Sequence, residues 1–515
     1  MAIKTFAAID VGSYELAMKI FEISGRGGLR EIDHIRHRIE LGTDTYNTGK
    51  ISRDRVEELC EVLISFKEIM KSYQVDAYKA YGTSAIREAE NTAVLLDMIK
   101  GRTGIDIDVI SNSEQRFLDY KAIASKGEKF EEIIKQGTVI LDVGGGSSQI
   151  SLFDKDTLVG TQQLRLGLLR IRERLLSMQA GRSSWQRLIR EMTDNELEVM
   201  KRLFMSEREV ENIILVDDYL SLIIQGPGLE LEKTGILKKS ECRRFVEKMR
   251  DHSDLQIARY LGISEESAQL LYISSEMVYR AMEILDTKKL WAPAVCLCDG
   301  IGYEYAEKNR LIKMDHDFER DILACADNIC RRYKGNAPRA ALMEKIALLI
   351  FDGMKKVHGL RSRERLLLQM SARLNDCGKY ISMNSVGECC YSIIMANEII
   401  GLSHTEREML ANIVKYNRVD FEYYAVIRQQ SGLDKNEYLT VAKLAAILKL
   451  SNGLVRSYRE KINDVGIKFS GRELILTVDS TDDMTLEMGL LGPKEGFFEE
   501  VFHVQPVFRQ KRRVM

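Results

Sequence analysis

One short pattern occurs twice and constrains the fold of this 515-residue chain more than any other feature. An apolar strand ends in Asp-Val-Gly and continues through a serine-containing turn into a second strand. The two copies are AAIDVGS at 7–13 and LDVGGGS at 141–147. Glycine weakens a strand unless the backbone must bend sharply or approach another group closely. The repeat therefore predicts two related halves, each with a tight turn at the same place.

The segments around these turns alternate between strand and helix patterns, which is typical of α/β layers. Strand–turn–strand patterns predict hairpins at 5–23 and 138–154, and a helical period fills 52–72. After Asp315 helical patterns dominate, and strand patterns return from Lys461. We therefore predict four domains: α/β domain I at 1–130, α/β domain II at 131–312, a helical domain at 313–460 and a small α+β domain at 461–515.

Composition limits the classes of partner. The 75 basic and 77 acidic side chains give a net charge of −2, so an anion site must be local and nucleic acid is not expected. Nine cysteines lack the spacing of a disulfide framework, which predicts reduced thiols. No uncharged apolar run reaches the roughly 18 residues of a membrane span, and no signal peptide is recognisable. These features predict a cytoplasmic protein without a membrane partner.

The glycine turns are candidates for phosphate binding. Successive backbone N–H groups in such a turn form a concave site for anions, although a tight hairpin without a ligand gives the same pattern. At the strand ends, Asp10 and Asp142 are candidates for holding Mg²⁺ or positioning water. Arg87 offers a guanidinium to a phosphate oxygen. The other candidate phosphate ligands are Gly12, Ser13, Gly144, Gly145, Gly146 and Ser147.

Six segments, in this order, resemble the exopolyphosphatase/guanosine pentaphosphate phosphohydrolase (Ppx/GppA) family: AAIDVGS, YGTSAIREAEN, VISNSEQ, VILDVGGGSS, RLGLLRI and LCDGIGYEYA. The resemblance covers nearly the whole chain. It implies a duplicated actin-like, sugar-kinase-like (ribonuclease H-like) fold followed by an HD-like helical domain. It also implies Mg²⁺-assisted hydrolysis of a terminal phosphoanhydride in polyphosphate or guanosine pentaphosphate, with a glutamate that activates water. A homodimer is the family-level expectation.

The chain departs from the family pattern at the residues that matter for turnover. In the segment that resembles Ser-Gly-x-Glu-Glu-Ala, the catalytic glutamate falls on Gln115. An amide cannot take up a proton at neutral pH, and losing a general base costs roughly 10²- to 10⁴-fold in rate. Glu114 is the remaining candidate base, provided that the local backbone shifts. The catalytic candidates are therefore Glu114, Gln115 and Asp142.

Four further departures concern binding. Gln149 replaces a second family glutamate, and Glu15 stands where the family has a small polar residue, which would repel a polyanion unless it turns away. The nearest match to the family's Gly-Ser/Thr-Gly-Thr phosphate loop in the second half, QGPGLELEKTG at 225–235, lacks the hydroxyl residues of that pattern. In the helical domain the His-Asp pair reads Asn375-Asp376, and an amide is a poor replacement for an imidazole ligand. We therefore expect Asp376 to be structural.

Three functions follow from this pattern. The leading one is a Ppx/GppA-type phosphoanhydride hydrolase, with catalysis impaired by the two amides. The alternative is a catalytically degenerate protein that binds polyphosphate or a guanosine alarmone, and replacing Gln115 and Gln149 by Glu then raises hydrolysis. The second alternative is an actin-like ATPase or sugar kinase, because the same turns suit ATP.

Overall fold

A computed structural model of the chain describes residues 3–25, 28–205, 208–217, 219–225, 235–313, 316–456 and 461–511. It divides into two compact units, Met1–Asp317 and Phe318–Met515. The predicted loop at 225–235 falls almost entirely outside the described residues. No helix among the described residues is both long and apolar enough to cross a membrane.

The first half of the first unit is built on a five-stranded sheet in the order β3-β2-β1-β4-β5. Strands β1, β2 and β3 are antiparallel, whereas β4 and β5 run parallel to β1. The elements are β1 Lys4–Val11, β2 Glu15–Ser24, β3 Gly28–Arg38, α1 Leu41–Thr48, α2 Arg53–Ser72, β4 Ala77–Gly82, α3 Ser84–Glu88, α4 Thr92–Thr103, β5 Ile107–Val109, α5 Asn112–Ala124 and α6 Glu128–Ile134.

The second half repeats this plan in a six-stranded sheet, in the order β10-β11-β9-β6-β7-β8. Its β6, β7 and β8 are antiparallel, and β9 and β11 run parallel to β6. The elements are β6 Thr138–Val143, β7 Ser148–Asp154, β8 Thr157–Leu164, α7 Leu168–Ser177, α8 Arg182–Phe204, β9 Asn212–Asp217, α9 Leu220–Gln225, β10 Ile236–Lys238, α10 Lys239–Arg250, α11 Asp254–Leu261, α12 Glu265–Leu285, β11 Lys289–Trp291 and α13 Leu297–Lys308.

The two sheets therefore correspond strand for strand, with β6, β7, β8, β9 and β11 in the places of β1, β2, β3, β4 and β5. This confirms the predicted duplication and the actin-like α/β class. The hairpins at 5–23 and 138–154 and the helix at 52–72 are present as predicted. The third strand of each half lay outside the predicted elements.

The last helix of the second half, α13, packs on the first sheet. Phe6 of β1 stacks on Tyr305 with ring centroids 3.9 Å apart. Buried Lys19 of β2 donates to both carboxylate oxygens of Asp299 at 3.0 Å. Burial opposes its charge, but nearby acidic groups, Asp299 among them, raise its pKa. The segment predicted as domain II thus ends by completing the core of the first half.

The second unit combines a helical bundle with a three-stranded sheet in the order β12-β13-β14. The helical patterns predicted after Asp315 correspond to helices, and the strand patterns predicted from Lys461 correspond to β12, β13 and β14. The elements are α14 Phe318–Arg332, α15 Ala337–Gly353, α16 Lys355–His358, α17 Ser362–Leu374, a 3₁₀ turn Cys377–Tyr380, α18 Val386–Ala396, α19 His404–Tyr416, α20 Tyr424–Ser431, α21 Lys435–Leu454, β12 Asp464–Ser470, β13 Glu473–Asp479, α22 Thr485–Gly489, α23 Gly492–Phe502 and β14 Gln505–Lys511.

Candidate active site

The two glycine turns meet at one cavity of about 80 Å³. It lies at the ends of β1 and β6, where the corresponding turns of the two halves face each other. All the predicted site residues except Glu114 line it. The lining residues are Asp10, Gly12, Ser13, Thr83, Ser84, Arg87, Asn112, Gln115, Arg116, Asp142, Gly144, Gly145, Gly146, Ser147, Ser148 and Gln149.

Each turn is closed by the same backbone hydrogen bond. The amide of Gly12 donates to the carbonyl of Glu15 at 3.0 Å, and the amide of Gly144 donates to the carbonyl of Ser147 at 3.0 Å. A Cβ on Gly12 would lie 2.7 Å from the Glu15 carbonyl oxygen, so a side chain does not fit there. The tight-hairpin explanation is therefore correct for these two glycines.

The next two glycines face the other half of the molecule. A Cβ on Gly145 would lie 3.4 Å from Ser13 Cβ, and one on Gly146 would lie 2.2 Å from Tyr46 Oη and 2.5 Å from Ser84 Oγ. Gly146 is therefore required by close approach between the halves, whereas the tightest neighbour of a Cβ on Gly145 is Leu169 Cδ1 of its own half, at 3.1 Å. The glycine-rich sequence pattern thus combines a hairpin turn at Gly144 with close packing of the two halves at Gly146.

The carbonyls of the second turn point away from the cavity. Gly144 O and Gly145 O accept hydrogen bonds from the amides of Leu168 and Leu169, at 3.1 and 3.0 Å. Gly146 O accepts from Arg170 Nε at 2.7 Å. Within the described part of the chain, the amides of Gly145 and Gly146 donate no hydrogen bond. They remain available to an anion, as in other backbone anion sites.

Arg87 is held at the edge of the cavity by the start of α5. Its Nη1 donates to the carbonyl of Ile110 at 2.7 Å, and its Nη2 donates to Asn112 Oδ1. Asn112 in turn donates to Gln163 Oε1 of the second half at 2.9 Å. A guanidinium fixed in this way has little side-chain freedom left to lose on contact with an anion.

The two predicted metal ligands share the cavity. Asp10 lies near the end of β1 and Asp142 near the end of β6, at corresponding positions of the two sheets. No cluster of three or more His, Cys, Asp or Glu that could hold a metal occurs in the described ranges. Mg²⁺ is commonly held by one or two carboxylates together with substrate phosphates and water, so the donor set fits this ion.

Both amides noted in the sequence line the cavity. Gln149 pairs with Asp142 in the β6–β7 ladder and is only 2% exposed. Its Oε1 and Nε2 have no hydrogen-bond partner among the residues that the structure describes. A buried amide without partners costs free energy, which a bound ligand or water recovers. Gln115 lies on the first turn of α5.

Two acidic side chains near the site have partners of their own. Glu114 forms a capping box with Ser111, whose N and Oγ donate to Glu114 Oε2 at 2.9 and 2.7 Å. The structure thus places the Glu114 carboxylate in the cap of α5 and not in the cavity. Glu15 accepts from Arg36 Nε, and this ion pair removes the repulsion expected toward a polyanion.

Sequence reasoning missed several residues of the site. Thr83, Ser84 and Glu88 lie within the TSAIREAEN motif, which was the available signal. Asn112 and Arg116 lie on α5, which follows β5, an edge strand of the first sheet. Tyr46 of α1 had no signal at all, yet its Oη lies 2.9 Å from both Ser13 Oγ and Ser84 Oγ.

In the helical unit, a guanidinium contacts Asn375 and Asp376, the pair that the sequence resemblance aligns with an HD motif. Buried Arg339 donates to Asn375 Oδ1 at 3.0 Å and to Asp376 Oδ2 at 2.9 Å. Arg418 donates to Asp376 Oδ1 from the other side. Burial would raise the pKa of Asp376, but Arg339, Arg418 and Lys379 lower it below its usual range. These contacts agree with the structural role expected for Asp376.

Two corresponding sheets with opposed glycine turns define an actin-like fold with a cavity between its halves. A model described as the Ppx/GppA phosphatase family matches residues 20–309, and one for domain III of Ppx/GppA phosphatases matches 323–492. The first match alone covers more than half of the chain. The protein therefore belongs to the Ppx/GppA phosphatase family.

Known relatives and solved structures agree with this assignment. A guanosine-5'-triphosphate,3'-diphosphate pyrophosphatase of Photobacterium profundum is 19% identical over 458 residues, which are 86% of this chain and 85% of the relative. The family member from Aquifex aeolicus matches with a TM-score of 0.50 at 20% identity, over 61% of this chain and 100% of that one. An exopolyphosphatase from Cytophaga hutchinsonii matches with a TM-score of 0.51 at 18% identity, over 61% and 100%. The two structures show the likeness of fold.

Proposed function

We propose that the protein is a phosphoanhydride hydrolase that releases the terminal phosphate from inorganic polyphosphate or from guanosine pentaphosphate. The observation that carries the proposal is the cavity between the two halves, where the amides of Gly145 and Gly146 and the guanidinium of Arg87 converge near Asp10 and Asp142. The relatives named above as a pyrophosphatase and an exopolyphosphatase act on substrates of this class. A phosphate group between two such turns has its charge matched by donors from both halves.

The residues divide into binding and metal-holding groups. The amides of Gly145 and Gly146 and the hydroxyl of Ser147 would donate to phosphate oxygens, and Arg87 would neutralise one of them, while Gly12 and Ser13 line the cavity beside them. Asp10 and Asp142 would hold Mg²⁺, which when bound neutralises developing charge on the phosphates. Gln149, buried and without a partner, would donate its amide hydrogen to a phosphate oxygen, which a carboxylate at the same position would repel.

The test is orthophosphate release from polyphosphate and from guanosine pentaphosphate, with and without Mg²⁺. We expect slow, Mg²⁺-dependent release, and we expect Gln115→Glu to raise the rate by roughly 10²-fold because a carboxylate in the cavity can accept a proton directly. Gly145→Asp is the control, because it places a negative charge in the anion site. Release no greater than that of Gly145→Asp, in both the unmodified protein and Gln115→Glu, would refute the hydrolase.

A second candidate is favoured by the two amides, Gln115 and Gln149. The site would then bind polyphosphate or a guanosine alarmone without turning it over. Calorimetric binding of either compound by the unmodified protein, without orthophosphate release, would establish this function. ATP turnover in the same assays would instead indicate an actin-like ATPase. The cytoplasmic location and the homodimer stay predictions.

A further inference from the structure

The proposed reaction needs a group that accepts a proton from the attacking water. Gln115 cannot accept it, and Glu114 is engaged in the cap of α5. Asp10 and Asp142 are the carboxylates that line the cavity, and we assign both to the metal ion. A proton acceptor must then lie outside the cavity and be connected to it.

Three hydroxyl groups make such a connection. Ser13 Oγ, which lines the cavity, lies 2.9 Å from Tyr46 Oη. Tyr46 Oη lies 2.9 Å from Ser84 Oγ, and Ser84 Oγ donates to Glu88 Oε1 at 2.9 Å. This row of hydroxyl groups lies directly against Gly146 of the proposed anion site, because a Cβ on Gly146 would be 2.2 Å from Tyr46 Oη.

The carboxylate at the end fixes the direction of every hydrogen bond in this chain. Each hydroxyl has one hydrogen to donate. Ser84 gives its hydrogen to Glu88, so Tyr46 must donate to Ser84, and Ser13 must donate to Tyr46. Ser13 therefore turns a lone pair, and not its hydrogen, toward the cavity. That lone pair suits an incoming water better than a phosphate oxygen.

We propose that Ser13, Tyr46 and Ser84 relay a proton from the attacking water to Glu88. This inference rests on the proposed hydrolase function. The water oxygen forms a bond to the terminal phosphorus, and the bond from that phosphorus to the bridging oxygen breaks, with its electron pair leaving on the shortened phosphate chain. The water gives a proton to Ser13, Ser13 gives its own to Tyr46, Tyr46 to Ser84 and Ser84 to Glu88.

The surroundings of the relay suit this role. Arg170 of the second half donates to Glu88 Oε2 at 2.6 Å and lies 4.6 Å from the centre of the Tyr46 ring. Burial raises the pKa of Tyr46, so its phenol keeps its hydrogen at neutral pH. Among the described residues, Arg170 pairs with Glu88, Tyr46 interacts with it electrostatically, and Arg87 precedes it in α3. Glu88 is 39% exposed in its side chain, so it can release the proton to solvent.

The decisive variant is Glu88→Gln, because its amide oxygen still accepts the hydrogen bond from Ser84 but cannot take the proton. We expect kcat to fall by roughly 10²-fold with little change in KM, and the acidic limb of the pH–rate profile to disappear. Tyr46→Phe, which removes the middle hydroxyl, should lower kcat to a similar extent. Glu88→Asp should restore part of the rate and the acidic limb.

Two controls separate proton transfer from structure. Arg170→Met removes the ion pair to Glu88 but leaves the relay, so the acidic limb should persist. Glu90→Gln changes a nearby carboxylate that pairs only loosely with Lys50, at 3.7 Å, and should leave kcat unchanged. Binding of inorganic triphosphate, measured by calorimetry, should be retained in Glu88→Gln and Tyr46→Phe, which shows that both variants are folded.

The outcomes distinguish the two proposals. Normal kcat and an unchanged pH profile in Glu88→Gln, while the unmodified protein hydrolyses substrate, would overturn the relay and leave the hydrolase intact. Loss of the acidic limb in Arg170→Met would also overturn the relay, because a structural disturbance around Glu88 would then be enough to remove the limb. Absence of hydrolysis in the unmodified protein would overturn both.

Discussion

At the scale of single residues, the three consecutive glycines have different physical causes. Gly144 closes a hairpin, Gly145 packs most closely on Leu169 of its own half, and Gly146 allows the first half of the molecule to approach. Gly146 has the least room for a side chain, because Tyr46 Oη and Ser84 Oγ occupy the space that a Cβ would need. Both contacts are tip atoms of side chains, so a substitution there would displace hydroxyl groups before it displaced backbone.

Gly146→Ala should therefore impair function more than stability. The new methyl group pushes Tyr46 and Ser84 apart, which breaks the hydrogen bonds that place Ser13, and we expect kcat/KM to fall at least about tenfold, the equivalent of roughly 1.4 kcal/mol. Steady-state kinetics with thermal denaturation measure both effects.

Gly101→Ala is the matched control, since a Cβ on Gly101 in α4 meets open space. It should leave kinetics unchanged and stabilise the protein by roughly 0.5–1 kcal/mol through helix propensity. Unchanged kcat/KM in Gly146→Ala would show that the contact is not used.

The sequence was informative about residues whose reason is local. Asp10, Gly12, Asp142 and Gly144 belong to a strand–turn pattern that can be seen within a few letters. Tyr46 could not be predicted, because its role arises from contacts with residues far along the chain and its own segment, LGTDTYNT, carries no motif. Glu114 was misplaced as a candidate for a related reason. Its spacing from Ser111 fits a capping box as well as a catalytic motif.

At the scale of elements, the helical unit shows how several helices build a buried ion cluster around one carboxylate. Arg339 comes from α15, Asp376 follows α17, and Arg418 follows α19, so three helices converge on one carboxylate. Asp376 is only 3% exposed. Removing one partner from a buried ion pair leaves an uncompensated charge, which costs far more than loss of a surface pair.

Asp376→Asn should thus lower the free energy of unfolding by about 3–5 kcal/mol at pH 7. The folded-state pKa of Asp376 lies below its unfolded value, so its contribution is present above the ordinary aspartate range and is lost as the pH falls through the lowered pKa. The difference between Asp376→Asn and the unmodified protein should therefore shrink in acid.

Asp352→Asn tests the same chemistry at the surface. Asp352 pairs with Arg365 at 2.9 Å, and both side chains are more than a third exposed in the pair. Its removal should cost at most about 1 kcal/mol. Urea unfolding at a series of pH values measures all three proteins, and equal losses in the two variants would contradict the cluster's importance.

Elements with strong periodicity were predictable, and those without it were not. The helices of the second unit follow from apolar spacing, because each buries one face in the bundle. Strand β3, GLREIDHIRHR, is rich in charge and mostly half-exposed, so it has no clear apolar alternation. Its position beside β2 is fixed by backbone pairing at the sheet edge. The equivalent β8 was missed as well.

At the scale of the whole molecule, duplication explains why the cavity lined by both glycine turns lies between the two halves of the first unit. A single half offers one turn with donors on one side of an anion. Two related halves present two turns at the same edge of their sheets, so the donors converge. Helix α13 follows the strands of the second half along the chain and packs on the first sheet, where Tyr305 stacks on Phe6. It therefore holds the two halves together. The second unit has its own core and its own buried ion cluster.

This division predicts a selective effect of ligand on thermal unfolding. A ligand that binds only the folded site adds about 2.7 kcal/mol of stability at a concentration of 100 times its Kd. In differential scanning calorimetry, inorganic triphosphate with Mg²⁺ should raise the unfolding transition of the unit that contains Gly145 and leave the transition lowered by Asp376→Asn unchanged. Gly145→Asp should abolish the rise, because its carboxylate occupies and repels the anion site. A ligand stabilises only the cooperative unit that binds it. If the rise were confined to the transition that Asp376→Asn lowers, the anion site would therefore lie in the helical unit.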